Sequence, residues 1–200
     1  MATPEQIAVW EALAEHFLDS ETRHDIPGTA LVCLNAGLTA AQAFDVWRWE
    51  ITPVVGGNLW SVAGEWGCWD RAWLVERIEA VRARARRPGP LAHLLYRCQV
   101  HFNHRIWTAI ERCMGILSAA PPEDRNRLEA DLSWLAAHYF DFCGKPLAAD
   151  ADRVRLRALY DGSFLPLFRC IVFKDKITGE SEAVCHARVL AALEPRDTEG

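Results

Sequence analysis

No two of the seven cysteines stand as Cys-x-x-Cys, and their odd number, scattered from Cys33 to Cys185, offers neither a zinc knuckle nor a disulfide framework. Reduced thiols in a cytosol are the simplest expectation. Also missing are the Gly-x-Ser-x-Gly of a nucleophile elbow, the glycine pattern of a P-loop and the Gly-x-Gly-x-x-Gly of a dinucleotide fold. Met-Ala-Thr-Pro-Glu-Gln at the start has no basic region followed by an apolar run. No later stretch approaches the roughly 18 uninterrupted apolar residues of a membrane helix. The expectation is a cytoplasmic chain without a membrane partner. A formal net charge of −5 with no strongly basic segment disfavours nucleic acid as well. No internal repeat is present.

Half of the 200 residues are hydrophobic, enough to fill a core without covalent staples. Thr3 to Gln6 is a capping box with Pro4 at the first helical position. Ile7, Trp10, Ala14 and Phe17 then recur at helical spacing, predicting a first helix through about Leu18. A polar break over 19–25 precedes a second helix that opens at Pro27 and ends on a glycine cap at Gly37. A second capping box, Thr39 to Gln42, starts a third helix with Phe44, Trp47 and Ile51 on one face, which Pro53 should stop. Asp70 is the natural N-cap of a fourth, with Leu74, Ile78 and Val81 as its buried stripe. Its last turns carry Arg82, Arg84, Arg86 and Arg87, which read as a solvated basic helix end complementing the dipole rather than as a phosphate patch.

Pro88-Gly89-Pro90 reads as a hinge within one domain, between halves 1–87 and 91–194. Helical patterning resumes from Leu91 to about Ser118. After Pro121-Pro122 the stripe Leu128, Leu132, Leu135 and Tyr139 marks another helix, with Glu123 and Asp124 in its first turn. Asp150 can cap a helix reaching Tyr160. Residues 164–173 suit a strand locally, but no second strand exists to pair with them, so helix is preferred. Ser181 to about Leu193 forms a last helix and 195–200 a disordered tail. The sum is an all-α fold, one globule of seven or eight helices over 1–200 with an aromatic-rich link at 53–70.

The part of that link from Asn58 to Asp70 carries Trp60, Trp66 and Trp69 together with Gly64 and Gly67. Each indole hides roughly 150–250 Å² when buried, so the link should fold back on the first and fourth helices. Asn58 and Ser61 can satisfy turn amides, and Glu65 must either face water or meet a cation. A structural role is the leading reading of this segment. The alternative is a binding site made of Asn58, Ser61, Glu65 and Trp66.

Three imidazoles, His93, His101 and His104, fall within an arc of roughly 80° on a regular helix, a face that could hold a metal with His138 or Asp141. Arg97 in the same arc repels a cation, so these histidines read as hydrogen-bonded or solvated and no cofactor is expected. Cys98 and His101 are three apart, but a helix-interior thiol is more often inert filler than a nucleophile. Glu21-Thr-Arg-His24 has the spacing of a di-iron carboxylate motif without the second copy such a site needs.

Val9 to Glu21, Trp49-Glu50-Ile-Thr-Pro53-Val, Asn58-Leu-x-Ser61-Val-Ala-Gly-Glu-Trp66 and Trp69-Asp70-x-x-Trp73-Leu resemble a small bacterial domain family of unknown function, over about the first half of the chain. Trp69 stands where that family usually shows phenylalanine. The resemblance implies a bacterial cytoplasmic helical protein and no catalytic residue. With no catalytic signature, the function expected is that of a non-enzymatic protein-binding module, of the immunity or accessory type, with an unidentified protein partner. The contrasting expectation is a metal-binding protein or enzyme using the histidine face.

If Trp66 is a core anchor, Trp66→Ala should cost about 3–5 kcal/mol in chemical denaturation. Glu65→Gln should also destabilise if the carboxylate is ion-paired. Unchanged melting of both variants together with loss of a co-purifying partner would make the link a binding site.

Overall fold

The computed structural model describes residues 2–18, 25–57, 68–83, 94, 96, 98 and 104–144. Among them the architecture is all helical. The elements are α1 (Pro4–Glu15), α2 (Ile26–Asn35), α3 (Ala40–Val55), α4 (Arg71–Ala83), α5 (His104–Ala119) and α6 (Arg125–Gly144), with a 3-10 turn, Pro122–Asp124, leading into α6.

Local chemistry starts α1, α3 and α4 and ends α2 where the sequence predicts. Thr3 and Thr39 each take the amide of the third helical residue on the hydroxyl, at 3.3 Å, while Gln6 and Gln42 return to the threonine amides at 3.1 and 2.9 Å. Asp70 caps α4, its carboxylate accepting from the Trp73 amide at 2.7 Å. Gly37, at φ 75°, turns the chain out of α2 in the left-handed region that a side chain would disfavour. α1 ends at Glu15, with Phe17 and Leu18 in the turn that follows it. Glu123 and Asp124 occupy the 3-10 turn rather than the first α turn of α6. The links and helices expected at 58–67, 84–93 and 145–200, including the segment 164–173, lie outside the described residues.

The third helix departs from expectation. Pro53 does not end it, because the chain widens into a π turn over Trp47–Ile51 before resuming as Thr52–Val55. Proline has no N–H, and its ring would clash with the carbonyl four residues back. In the π turn the Thr52 amide reaches the Trp47 carbonyl, and the Thr52 hydroxyl donates to the same oxygen at 2.8 Å. One inserted residue shifts the register so that Pro53 falls in the first turn of the resumed helix, where its missing N–H leaves nothing broken. The resulting rod lies at 105° to α2.

Apolar spacing then fixes the packing. α1 buries Val9, Trp10, Leu13 and Ala14, with Phe17 just beyond its end. α2 presents Ile26, Thr29, Ala30 and Cys33 on one face and packs against α1, α5 and α6. α5 turns Ala109, Ile110, Cys113, Met114 and Leu117 inward. At the centre Trp47 of α3 stacks on Trp107 of α5, centroids 5.2 Å apart at 29°, while Phe17 meets the same ring edge-on at 5.8 Å and Phe44 packs on Trp107 at 4.9 Å. A buried polar pair, His16 and Thr29, joins α1 to α2, with His16 Nε2 2.9 Å from Thr29 Oγ1.

Trp47 is fully buried, yet its indole N–H meets no acceptor. Trp47→Ala should therefore cost about 3–5 kcal/mol in urea unfolding, as a large ring deleted from a packed core does. Trp47→Phe should cost well under half as much, since it keeps a ring and removes the unsatisfied donor. Equal losses for the two variants would contradict this account of the site.

Candidate functional site

Two surfaces bring chemistry-bearing side chains together, and both depend on how α4 is held against α1. Trp69, just ahead of α4, donates its indole N–H to the Ala14 carbonyl at 2.9 Å, one of the carbonyls a helix end leaves without an intrahelical partner. Arg71 pairs with Glu11 at 3.2 Å, and the Ala2 amide donates to Glu79 at 2.9 Å. Of the stretch 58–70 expected to wedge against the first and fourth helices, only Cys68, Trp69 and Asp70 are described, and of these Trp69 bonds to α1 and stacks on α4.

The first surface runs along α4. Trp73 lies parallel to Trp69, centroids 5.9 Å apart at 11°, and Arg77 sits 6.0 Å over the Trp73 ring one turn on. Trp69 is partly buried against the core, whereas Trp73 remains 38% exposed. An exposed indole fixed on one face by a neighbour is a preorganised contact: it offers area without rotamer entropy to lose.

The second surface is a cleft of about 320 Å³ between the first half of α1, the turn joining α2 to α3, the middle of α3 and the end of α4, with Trp10, Leu38 and Val46 among its lining. At its base Trp10 Nε1 donates to Glu50 Oε2 at 2.8 Å. Arg82 approaches Glu50 Oε1 at 3.7 Å and lies 5.5 Å over the Trp10 ring. Glu50 belongs to the π turn, between the buried Trp47 and Ile51. Glu5, exposed at the cleft mouth, has its carboxyl held below the ordinary value by its own backbone amide and the Thr3 hydroxyl, so it is charged at neutral pH. A wider groove of about 670 Å³ between α1, α2 and α6 has Ala8, Ala12, Val32 and Trp134 along it and Glu11 and Glu129 at its edge.

Of the residues singled out from sequence, Asn58, Ser61, Glu65 and Trp66 lie outside the described residues, as do His93 and His101. His104 is exposed as the first residue of α5, its carbonyl accepting from the Thr108 hydroxyl at 2.9 Å. Among the described residues no three His, Cys, Asp or Glu side chains are grouped to hold a metal ion. Sequence reasoning missed Trp10, Glu50 and Arg82 as a unit. Arg82 is not simply part of a solvated helix end, for its guanidinium bridges α4 to α1 and α3. The only hint was the composition Trp47-Arg-Trp-Glu50-Ile-Thr-Pro53, a carboxylate set among aromatics just ahead of a proline.

The profile of a family described as Domain of unknown function (DUF7079) matches residues 4–113. That span contains α1 to α4 and most of α5, and therefore both the indole surface and the Trp10 cleft. α6 and the wider groove's Glu129 and Trp134 fall beyond it. No curated protein and no solved structure matches the chain.

Four described cysteines carry no disulfide: Cys33 and Cys113 are buried, Cys68 and Cys98 exposed. Burial pushes the Cys33 thiol up to about 12 from an ordinary value near 9. Cys33 therefore stays protonated in the native state while the unfolded thiol ionises above about 9, so its contribution to stability is full below that pH and is lost as the pH rises towards about 12. A thiol reagent such as DTNB at pH 8 should label Cys68 and Cys98 in the native protein, and Cys33 and Cys113 only in denaturant, where all seven should react. Rapid native labelling of Cys33 would contradict the buried, protonated thiol.

Proposed function

We propose, taking as premise that the chain belongs to the DUF7079 family of domains of unknown function, that it is a non-enzymatic protein-binding module engaging its partner through the Trp69–Trp73–Arg77 surface. The observation that carries this reading is Trp73, an indole left 38% exposed although it is stacked on Trp69 and has Arg77 over its ring. Tryptophan and arginine are the residues most enriched where binding energy concentrates in interfaces, and a rigid, half-covered indole is how such anchors look before the partner arrives. Arg71 and Glu11, an ion pair beside the stack, supply the kind of polar rim that surrounds these anchors.

The reading draws support from what the reactive groups in view are doing. Cys33 is a protonated core thiol, His16 pins α1 to α2, and Glu50 is hydrogen-bonded to an indole. Each is engaged in the packing or bonding of the fold. Asn58, Ser61, Glu65 and Trp66 precede Trp69 in the chain and belong to the same proposal as candidate binding residues. The partner class is a protein, in the manner of an immunity or accessory protein, within a cytosol where the exposed thiols of Cys68 and Cys98 stay reduced.

Trp73→Ala and Arg77→Ala test the proposal. Both alter exposed positions of α4, so each should stay within about 1 kcal/mol of the parent in unfolding experiments. Quantitative co-purification from the native host should lose the stoichiometric partner with Trp73→Ala and reduce it with Arg77→Ala. A partner retained at parental yield by both folded variants would overturn the assignment.

A further inference from the structure

The cleft above Trp10 is separate from the Trp73 surface, and its charges stand in an arrangement that selects a ligand. Glu50 is fixed by the Trp10 indole at 2.8 Å, and Arg82 is laid across the same ring. Between the two, the nearest approach is 3.7 Å, an ion pair but too long for a good hydrogen bond. Neither charge is therefore saturated. A carboxylate has about four acceptor positions and a guanidinium five N–H donors, and the contacts described use only a few of them. The Arg82 side chain keeps 42% of its surface in water and that of Glu50 23%, so both heads can be reached from the cleft.

A simple anion attracted to Arg82 would meet Glu50 and, at the mouth, Glu5. A simple cation attracted to Glu50 would meet Arg82. A group with both charges on neighbouring atoms can lie antiparallel to the Glu50–Arg82 pair, its carboxylate toward the free guanidinium edge and its ammonium toward the carboxylate. Next to this pair the apolar surface within reach is that of Leu38 and Val46, both half-buried, with Thr3 and Gln6 completing the wall. About 320 Å³ is at the small end of ligand pockets, room for one compact molecule rather than a nucleotide or a peptide. We propose that the cleft binds a free α-amino acid with an apolar side chain, Arg82 and Glu50 receiving the zwitterion and Leu38 and Val46 the side chain. A peptide terminus carries only one of the two charges at a given residue, so the match is to the free amino acid.

L-leucine is the probe, with 4-methylpentanoate and 3-methylbutylamine as the analogues lacking the ammonium and the carboxylate. Isothermal titration or ligand-observed NMR on the full chain should give L-leucine a Kd on the order of 1 mM, fitting a ligand of so few atoms, and each analogue at least about tenfold weaker binding. Arg82→Gln and Glu50→Gln should each weaken L-leucine about tenfold. Gln can still accept from Trp10, so Glu50→Gln should fold, and the analogue series on the unaltered protein decides the matter if it does not. Absence of L-leucine binding at about 10 mM, or either analogue binding as well as L-leucine, would overturn the proposal. Parental affinity in a folded Arg82→Gln variant would overturn it too.

Discussion

The indole of Trp47 is the fixture to which the other elements are fastened. It is fully buried, faces Trp107 of α5 at 5.2 Å and receives the edge of Phe17 from the end of α1. Three helices distant in sequence thus close on one ring. Its cost is an indole N–H without an acceptor, tolerated because the ring's remaining surface replaces water with close aromatic contact. The π turn makes this possible without ending the rod at Pro53. It keeps Trp47 and Ile51 inward and lets backbone bonding continue through the register shift.

The same turn links the interior to the surface. Glu50 lies within the widened turn of α3, and its bond to Trp10 runs from that turn to the buried stripe of α1. Arg82 then reaches over from α4, so three helices meet at the charged pair beside the cleft. A rigid core with a charged pair mounted directly upon it is a favourable setting for recognition, since little must be ordered when a ligand arrives.

The helices were legible from the sequence because their ends are written in local chemistry. Threonine, aspartate and glycine at Thr3, Thr39, Asp70 and Gly37 act on backbone groups within a few residues. The stripes of α1 and α4 follow equally from spacing along one helix. Pro53 misled, because the rule that proline ends a helix assumes a constant register, and the register change at Trp47–Ile51 leaves no mark on side-chain periodicity. The cleft was illegible for another reason. Trp10, Glu50 and Arg82 are each ordinary on their own helix and become a unit only when three helices meet, which no window along the chain can reveal. His16 was hidden similarly, a polar residue at a helix end whose partner Thr29 sits on another element. The metal reading rested on His93, His101 and His104, of which only His104 is described, exposed at the start of α5.

The stacking of Trp47 on Trp107 has an optical consequence. Two indoles 5.2 Å apart and inclined by 29° in a fixed chiral setting couple their electronic transitions. Their joint contribution to circular dichroism in the near ultraviolet therefore depends on the distance between α3 and α5 rather than on either helix alone. Loosening of the interior with the helices still formed would extinguish this signal while leaving the peptide bands intact, which is the spectroscopic distinction between a packed core and a merely compact one. The protein carries its own gauge of core order, placed where the helices that bear its surface sites are joined.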